Sequence, residues 1–293
     1  MKIPAIQLSL LVLIGLTTLV GYQKVLGLKT TQNTWTLVAG GDVMLGRSVN
    51  TQSLKKNDFT WAFKNIAPLL NNATLSIVNL ESPLISNCPT TDTGMLFCGS
   101  ARHTQGLQFA GIDLINLANN HILNQGQNGL IETLSLLNQV QISPVGLEHV
   151  AVKEVAGQKV AFLGFEAINK IDNDTISQLI KAAKNVADLV VVSFHWGDEY
   201  QSKPNSKQIL LAHLAIDSGA DLILGHHPHW VQSEEVYLDK HVFYSLGNLI
   251  FDQMWSSETR SGLLVKFTFD GKNLLSIDRY PLTIYDYGQP RLN

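Results

Sequence analysis

Five short apolar runs, each leading into side chains able to hold a metal ion, constrain this 293-residue chain more than any other feature. Thr36-Leu37-Val38-Ala39 runs into Gly41-Asp42, Leu75-Ser76-Ile77-Val78 into Asn79-Leu80-Glu81, and Leu114-Ile115-Asn116-Leu117 into Asn119-Asn120-His121. Leu189-Val190-Val191-Val192-Ser193-Phe194 runs into His195-Trp196-Gly197-Asp198, and Asp221-Leu222-Ile223-Leu224 into Gly225-His226-His227-Pro228-His229. Such runs read as buried strands. A strand delivers the residues that follow it to the carboxyl edge of its sheet, where open α/β sheets bind ligands. Asp42, Glu81, Asn120, His121, His195, His227 and His229 are therefore expected at one edge, although they lie far apart in the chain. Singly, each reads as a capping or hydrogen-bonded polar residue; the recurrence points to a site.

Between the runs, helical spacing predicts helices over residues 61–70, 126–139, 176–187 and 208–218. Strand then helix, repeated, argues a layered α/β fold. The second half adds strands at residues 151–155, 159–165, 234–238, 241–245, 262–269 and 274–280, with tight turns expected at Gly157-Gln158 and Asp239-Lys240. A mixed architecture follows, with antiparallel members in one or two sheets and helices on the outer faces.

Hydrophobic residues make up 45% of the chain, charged residues 15%, and the net charge is −3, which gives no electrostatic case for a nucleic-acid partner. Residues 3–22 form a nearly unbroken apolar run, long enough for one bilayer crossing and longer than the usual core of an export signal. The chain thus divides into a membrane anchor or signal segment at residues 1–23, a linker at 24–33 and a folded domain at 34–293. A single-pass membrane protein with its domain outside the cytoplasm is expected; secretion after cleavage of the segment is the alternative. Cys88 and Cys98, the only cysteines, flank a polar loop. In an oxidising compartment they are expected to form a disulfide contributing about 2 to 3 kcal/mol, against the alternative of two unpaired buried thiols.

Imidazole, carboxylate and carboxamide ligands together suit divalent Mn, Fe or Zn. Two such ions about 3.5 to 4 Å apart clamp the oxygens of a phosphoryl group, so phosphoester hydrolysis is the default chemistry, with His121 as the proton donor to the leaving oxygen. Arg47 is a candidate for holding an anionic substrate and Asp198 and Glu199 for binding substrate or orienting His195, against surface charge as the plain reading. Asn248 and Asp252 follow another strand end and are candidates to line the cavity. His226 is read as a packing or hydrogen-bonding residue more than a ligand, and His103, His149, His213 and His241 as structural.

The motifs Gly41-Asp42-Val43-Met44-Leu45-Gly46-Arg47, Asn79-Leu80-Glu81-Ser82-Pro83-Leu84, Leu117-Ala118-Asn119-Asn120-His121, His195-Trp196-Gly197-Asp198-Glu199-Tyr200, Gly225-His226-His227-Pro228-His229 and Tyr244-Ser245-Leu246-Gly247-Asn248 resemble, in order, those of the CapA capsule-synthesis family. The resemblance covers residues 34–253. It implies a role in poly-gamma-glutamate capsule formation, and through the family's similarity to calcineurin-like metallophosphoesterases it implies a metallophosphatase-like four-layer sandwich of two mixed sheets flanked by helices. It also implies two divalent ions held by Asp42, Glu81, Asn120, His195, His227 and His229, with His121 assisting catalysis. The chain departs from the phosphoesterase pattern at two places: Met44 stands where Asp-x-His has its histidine, and Glu81 replaces a bridging aspartate. Two functions follow as expectations. One is a metal-dependent hydrolase acting on a phosphoester or an anionic envelope polymer; the other is a non-catalytic, polymer-binding component working with other capsule-synthesis membrane proteins.

Overall fold

In chain order, β1 (Thr34–Val43) is followed by α1 (Arg47–Lys56), α2 (Ala67–Asn71), β2 (Leu75–Leu80), the two-residue strands β3 (Leu84–Ile85) and β4 (Gly99–Ser100), α3 (Thr104–Phe109), β5 (Leu114–Asn116), α4 (Gly126–Gln139) and β6 (Ser143–Val145). Then come β7 (Ala151–Val155), β8 (Gln158–Glu166), α5 (Asn173–Lys184), β9 (Leu189–His195), α6 (Ser206–Asp217), β10 (Leu222–His226), β11 (Glu234–Tyr237) and β12 (Lys240–Phe243). The chain closes with β13 (Asn248–Ile250), β14 (Ser261–Asp270), β15 (Asn273–Tyr285) and β16 (Gln289–Leu292). This computed structural model describes residues 33–169 and 171–293. The anchor expected at residues 1–23, and all of the linker but Asn33, lie outside them; among the described residues no helix is long and apolar enough to cross a membrane.

Two mixed sheets result. The first has the order β16-β15-β14-β1-β2-β5-β6, with β13 beside the carboxyl end of β1. Its β1, β2, β5 and β6 are parallel, and β14 to β16 antiparallel. The second has the order β11-β12-β10-β9-β8-β7, parallel in the middle with antiparallel strands at both edges.

Side chains alternate across a strand, and this alternation sets the layers. Trp35, Leu37 and Ala39 of β1 and Leu75 and Ile77 of β2 share one apolar layer with Phe162 of β8, Leu189 and Val191 of β9, and Leu222 and Leu224 of β10. The residues between them face the other way. Val38 and Val78 meet Trp61, Phe63, Leu70 and Leu137, whereas Val190, Val192 and Phe194 meet Ile176, Ile180, Leu211 and Ala215. Each sheet thus carries helices on its outer face and shares a core with the other on its inner face.

Continuing the inward series by two residues reaches Asn79 after Ile77, Asn116 after Leu114, and His226 after Leu224. All three are fully buried, as is His195 at the end of β9. On β1 a register shift between Ala39 and Asp42 keeps Asp42 in the same layer. The inter-sheet core therefore turns from apolar to polar at the carboxyl edge of both sheets.

The helices predicted at 126–139 and 208–218 form near those bounds, and α6 starts at a capping box in which Asn205 and Gln208 satisfy each other's backbone donors. The helix predicted at 176–187 begins three residues earlier, because Asp172 accepts from the backbone of Asp174 and Thr175. Residues 61–70 do not form one helix. A 3₁₀ turn over Trp61–Phe63 precedes α2, whose first turn contains Pro68, a residue that fits a helix start and breaks a helix interior. Both hairpin turns lie one residue earlier than predicted, at Ala156-Gly157 and Leu238-Asp239; these four residues have positive φ, as the strand twist requires of a two-residue turn. Cys88 and Cys98 are disulfide-bonded.

Candidate metal centre

Asp42 reaches the polar end of the inter-sheet core because Gly41 lets two backbones touch. Asp42 donates its N–H to the Gly247 carbonyl at 2.9 Å, and a Cβ at position 41 would lie 1.9 Å from that oxygen. Two carboxamides then orient the carboxylate. Asn116 donates to Asn79 Oδ1 at 2.9 Å, and Asn79 donates to Asp42 Oδ1 at 2.8 Å. The other oxygen, Oδ2, lies 3.2 Å from His229 Nδ1 and accepts the His227 N–H at 3.2 Å.

Glu81, just beyond β2, is fully buried, and among the described residues neither of its carboxylate oxygens has a hydrogen-bond partner. Its Oε1 faces three imidazoles: His195 Nε2 at 3.8 Å, His229 Nε2 at 3.8 Å and His121 Nε2 at 3.9 Å. Asn120 Oδ1 joins them, 3.0 Å from His195 Nε2. His227 and His229 flank Pro228 with φ of 95° and 59°, a backbone region costing about 1 to 3 kcal/mol for a non-glycine residue and concentrated at functional sites.

Among the described residues, every set of three mutually close acidic or imidazole donors belongs to this cluster. The sets are Asp42-Glu81-His229, Glu81-His195-His227 and Glu199-His227-His229, each with its donor atoms within 4.8 Å of one another. A buried carboxylate left without a hydrogen bond costs free energy that a cation would offset. The unpartnered Glu81 oxygens and the mixture of carboxylate, imidazole and carboxamide fit divalent first-row ions, with Glu81 common to two of the sets.

The protonation states reflect how tightly the groups are packed without an ion. Burial raises the Glu81 carboxyl well above the usual range, and the negative charges of Asp42 and Glu199 add to the effect. Burial also acts on Asp42, but His226 and His229 outweigh it and hold its carboxyl well below the usual range. Burial and the neighbouring histidines push His195 down and lower His227 to about 4. Burial opposes charge on His229 too, yet Glu81 and Asp42 raise it to about 9. The cluster thus favours a proton on His229 at pH 7 and favours one on Glu81 beyond the ordinary glutamate range, and an ion binding either group must expel it. Metal affinity is expected to rise with pH above 7, by about tenfold per pH unit for each proton expelled, because ligand deprotonation is part of the binding equilibrium. Calorimetric titration in buffers of different ionisation enthalpy measures the proton released; no release would contradict a protonated His229.

The other candidates are placed differently. His121 is buried behind Phe97, whose ring stacks on it at 4.1 Å, and its Nδ1 lies 3.0 Å from Asn124 Oδ1, leaving Nε2 towards Glu81. Arg47 is ion-paired with Asp252 and packs over the Phe97 ring at 4.7 Å, at the cluster's edge. Asn248 does not line an open cavity. It is fully buried, its Oδ1 lies 3.0 Å from His229 Nδ1 and its amide donates to Gln253 and the Thr259 carbonyl, so it orients His229. Asp198 turns away, exposed and accepting from Asn205 at the start of α6. Glu199 turns in, 4.0 Å from His229 Nε2.

The strand-end pattern assigns no role to Asn79, Asn116 or Asn119. Asn119 caps the turn holding His121, accepting from the N–H groups of His121 and Ile122 and donating to the Leu80 carbonyl. A signal does exist for Asn79 and Asn116, polar residues at inward-facing strand positions, where an unpaired amide is unfavourable and a network is expected. His226 is also fully buried, with Nδ1 3.5 Å from Asp42 Oδ1.

Comparison with known proteins points to the same family. The chain is 31% identical to the capsule biosynthesis protein CapA of Bacillus anthracis, covering 87% of this chain and 69% of that protein. It is 30% identical to the PGA biosynthesis protein CapA of Bacillus subtilis, covering 84% and 70% respectively. A probable polyglutamine synthesis accessory protein of Mycobacterium tuberculosis is 25% identical, covering 84% and 76%. The fold is similar to the crystal structure of a hypothetical protein from Thermus thermophilus, with a TM-score of 0.57 at 17% identity over 87% of this chain and 100% of that one. The family model described as "Bacterial capsule synthesis protein PGA_cap" matches residues 36–253, which contain every residue of the cluster. With that match and relatives at about 30% identity over most of its length, the chain belongs to the bacterial capsule synthesis family.

Proposed function

We propose that the protein is an extracytoplasmic, metal-dependent hydrolase of capsule or poly-gamma-glutamate synthesis, acting on a phosphoester or an anionic envelope polymer. The observation that carries this reading is Glu81: a carboxylate with no exposure and no hydrogen bond, faced by three imidazoles at 3.8 to 3.9 Å. Asp42, Glu81 and His229 would hold one divalent ion, and Glu81, His195, His227 and Asn120 a second. Such ions, when bound, polarise the scissile group and lower the pKa of water. The chain's own part is orientation and proton handling. Asn79 and Asn116 fix Asp42, Asn248 fixes His229, and His121 keeps its Nδ1 against Asn124 while offering Nε2 to the reacting oxygens. Burial lowers the His121 pKa, so the ring is neutral at pH 7 and suited to accept a proton before delivering it to a leaving group. The apolar segment at residues 3–22 and the Cys88–Cys98 disulfide support membrane attachment with the domain in an oxidising compartment.

The purified full-length chain, loaded with Mn²⁺, Fe²⁺ or Zn²⁺, is expected to hydrolyse a generic phosphodiester or poly-gamma-glutamate. His195→Ala should lower turnover by at least about 100-fold, since even outer partners of a metal ligand are worth 10- to 100-fold. A second reading, a non-catalytic polymer-binding member of the synthesis complex, is favoured by Met44, which is buried in the core where a phosphoesterase would place a ligand. Retention of the polymer by chelated protein, unchanged by His195→Ala and without turnover under any ion, would decide for it.

A further inference from the structure

The first donor set, Asp42-Glu81-His229, is one residue short. Met44 is fully buried, and its sulfur accepts the Gly46 N–H at 3.0 Å, so this position contributes nothing to the cluster. Two side chains nearby are unassigned. Among the described residues His226 has no hydrogen-bond partner at either ring nitrogen, but the carboxylate it approaches is Asp42, on the Oδ1 side that Asn79 already occupies, and it belongs to none of the three donor sets. Glu199 does belong to one, with His227 and His229. It reaches within 4.0 Å of His229 Nε2, the nitrogen left over once Nδ1 faces Asp42 and Asn248.

We propose that Glu199 is a metal ligand, supplying from the loop after β9 the donor that Met44 fails to supply from the end of β1. This inference rests on the metal-centre reading above and assigns Glu199 to the ion rather than to substrate. At 34% exposure the Glu199 side chain is the one acidic member of the donor sets open to solvent, since Asp42 and Glu81 have none. It stands on the accessible side of the cluster, where its carboxylate would meet an ion held by His229. Replacing an imidazole by a third carboxylate has two chemical consequences. It favours oxygen-preferring ions such as Mn²⁺ over Zn²⁺. It also brings the formal carboxylate charge to −3 against +4 from two ions, leaving a slight positive excess for an anionic substrate.

The test is Mn²⁺ titration of the full-length chain after chelation, read by elemental analysis and by the electron paramagnetic resonance signal of a coupled Mn pair. Wild type is expected to bind two ions. Glu199→Gln, at a partly exposed position, should fold normally, keep one ion and lose the coupled signal, with the other ion weakened more than about 100-fold, the upper cost of removing a ligand's outer partner. Glu199→His should restore two ions and shift the preference towards Zn²⁺. Two coupled ions in Glu199→Gln at unchanged affinity, alongside loss of an ion in His195→Ala, would overturn the role of Glu199 and leave the metal centre standing. No ion bound by wild type would overturn both.

Discussion

In the presence of chelator, Glu81→Gln is expected to melt at a higher temperature than the wild type, and in saturating Mn²⁺ or Zn²⁺ the order should reverse. The ion-free protein buries the Glu81 carboxyl with no hydrogen bond to either oxygen, a penalty of about 1 to 3 kcal/mol. Glutamine carries no charge; its carbonyl can accept from a protonated imidazole and its amide can donate to His121 Nε2. For a domain of this size each kcal/mol moves the midpoint by roughly 2 to 4 °C, so the gain in chelator should be about 2 to 12 °C. The pH dependence has a definite sign. The Glu81 carboxyl is raised in the folded state, so the folded protein binds this proton more tightly than the unfolded chain. The penalty is therefore absent below the ordinary glutamate range and grows as pH rises above it. With ion at 100 times its dissociation constant, the wild type gains about 2.7 kcal/mol that the variant cannot. Scanning calorimetry with and without chelator reads both arms, and a variant less stable in both would show that the carboxylate is satisfied in some other way.

Gly41→Ala is expected to be among the most destructive single-methyl changes near the site. The added carbon would lie 1.9 Å from the Gly247 carbonyl oxygen, which is backbone and cannot rotate away. Relief requires β1 to move off the Gly247 carbonyl, breaking the Asp42 N–H bond to it and displacing Asp42 from Asn79 and His229. Overpacking of this severity belongs with substitutions costing more than about 4 kcal/mol, roughly 10 °C or more in melting temperature. Gly94→Ala is the control: its φ is +97°, no heavy atom of the described residues lies within 4 Å of the added carbon, and the cost should be confined to about 1 to 2 kcal/mol of backbone strain. Urea midpoints compare the two, and a Gly41→Ala midpoint matching that of Gly94→Ala would show that this strand contact yields easily.

An apolar stripe with the helical period made a helix legible at Leu130, Ile131, Leu134 and Leu137 in α4, but over residues 61–70 the same spacing gives a 3₁₀ turn and then α2 with Pro68 in its first turn. Helices were not legible where packing alone decides. Helix α1 buries Asn50, Thr51 and Ser53 along with Val49, and its side chains are satisfied by distant partners, Asn50 Oδ1 lying 3.2 Å from the His103 ring. No local pattern announces such a helix. Similarly, Asp198 and Glu199 are neighbours of identical charge, and nothing in the sequence separates them; the positive φ of Gly197 and Tyr200 around them turns one to the α6 cap and the other to the cluster.

By itself the sequence determined which side chains arrive at the carboxyl edge, because that follows from where each apolar run stops, a matter of local periodicity. It also determined the family, because six motifs in order are a property of the chain alone. Only the tertiary structure decided what those side chains do. Hydrogen bonding and charge are short-range in space but act between residues as far apart as Asp42 and His229, so the orienting asparagines and the inward turn of Glu199 emerge only after the two sheets have packed.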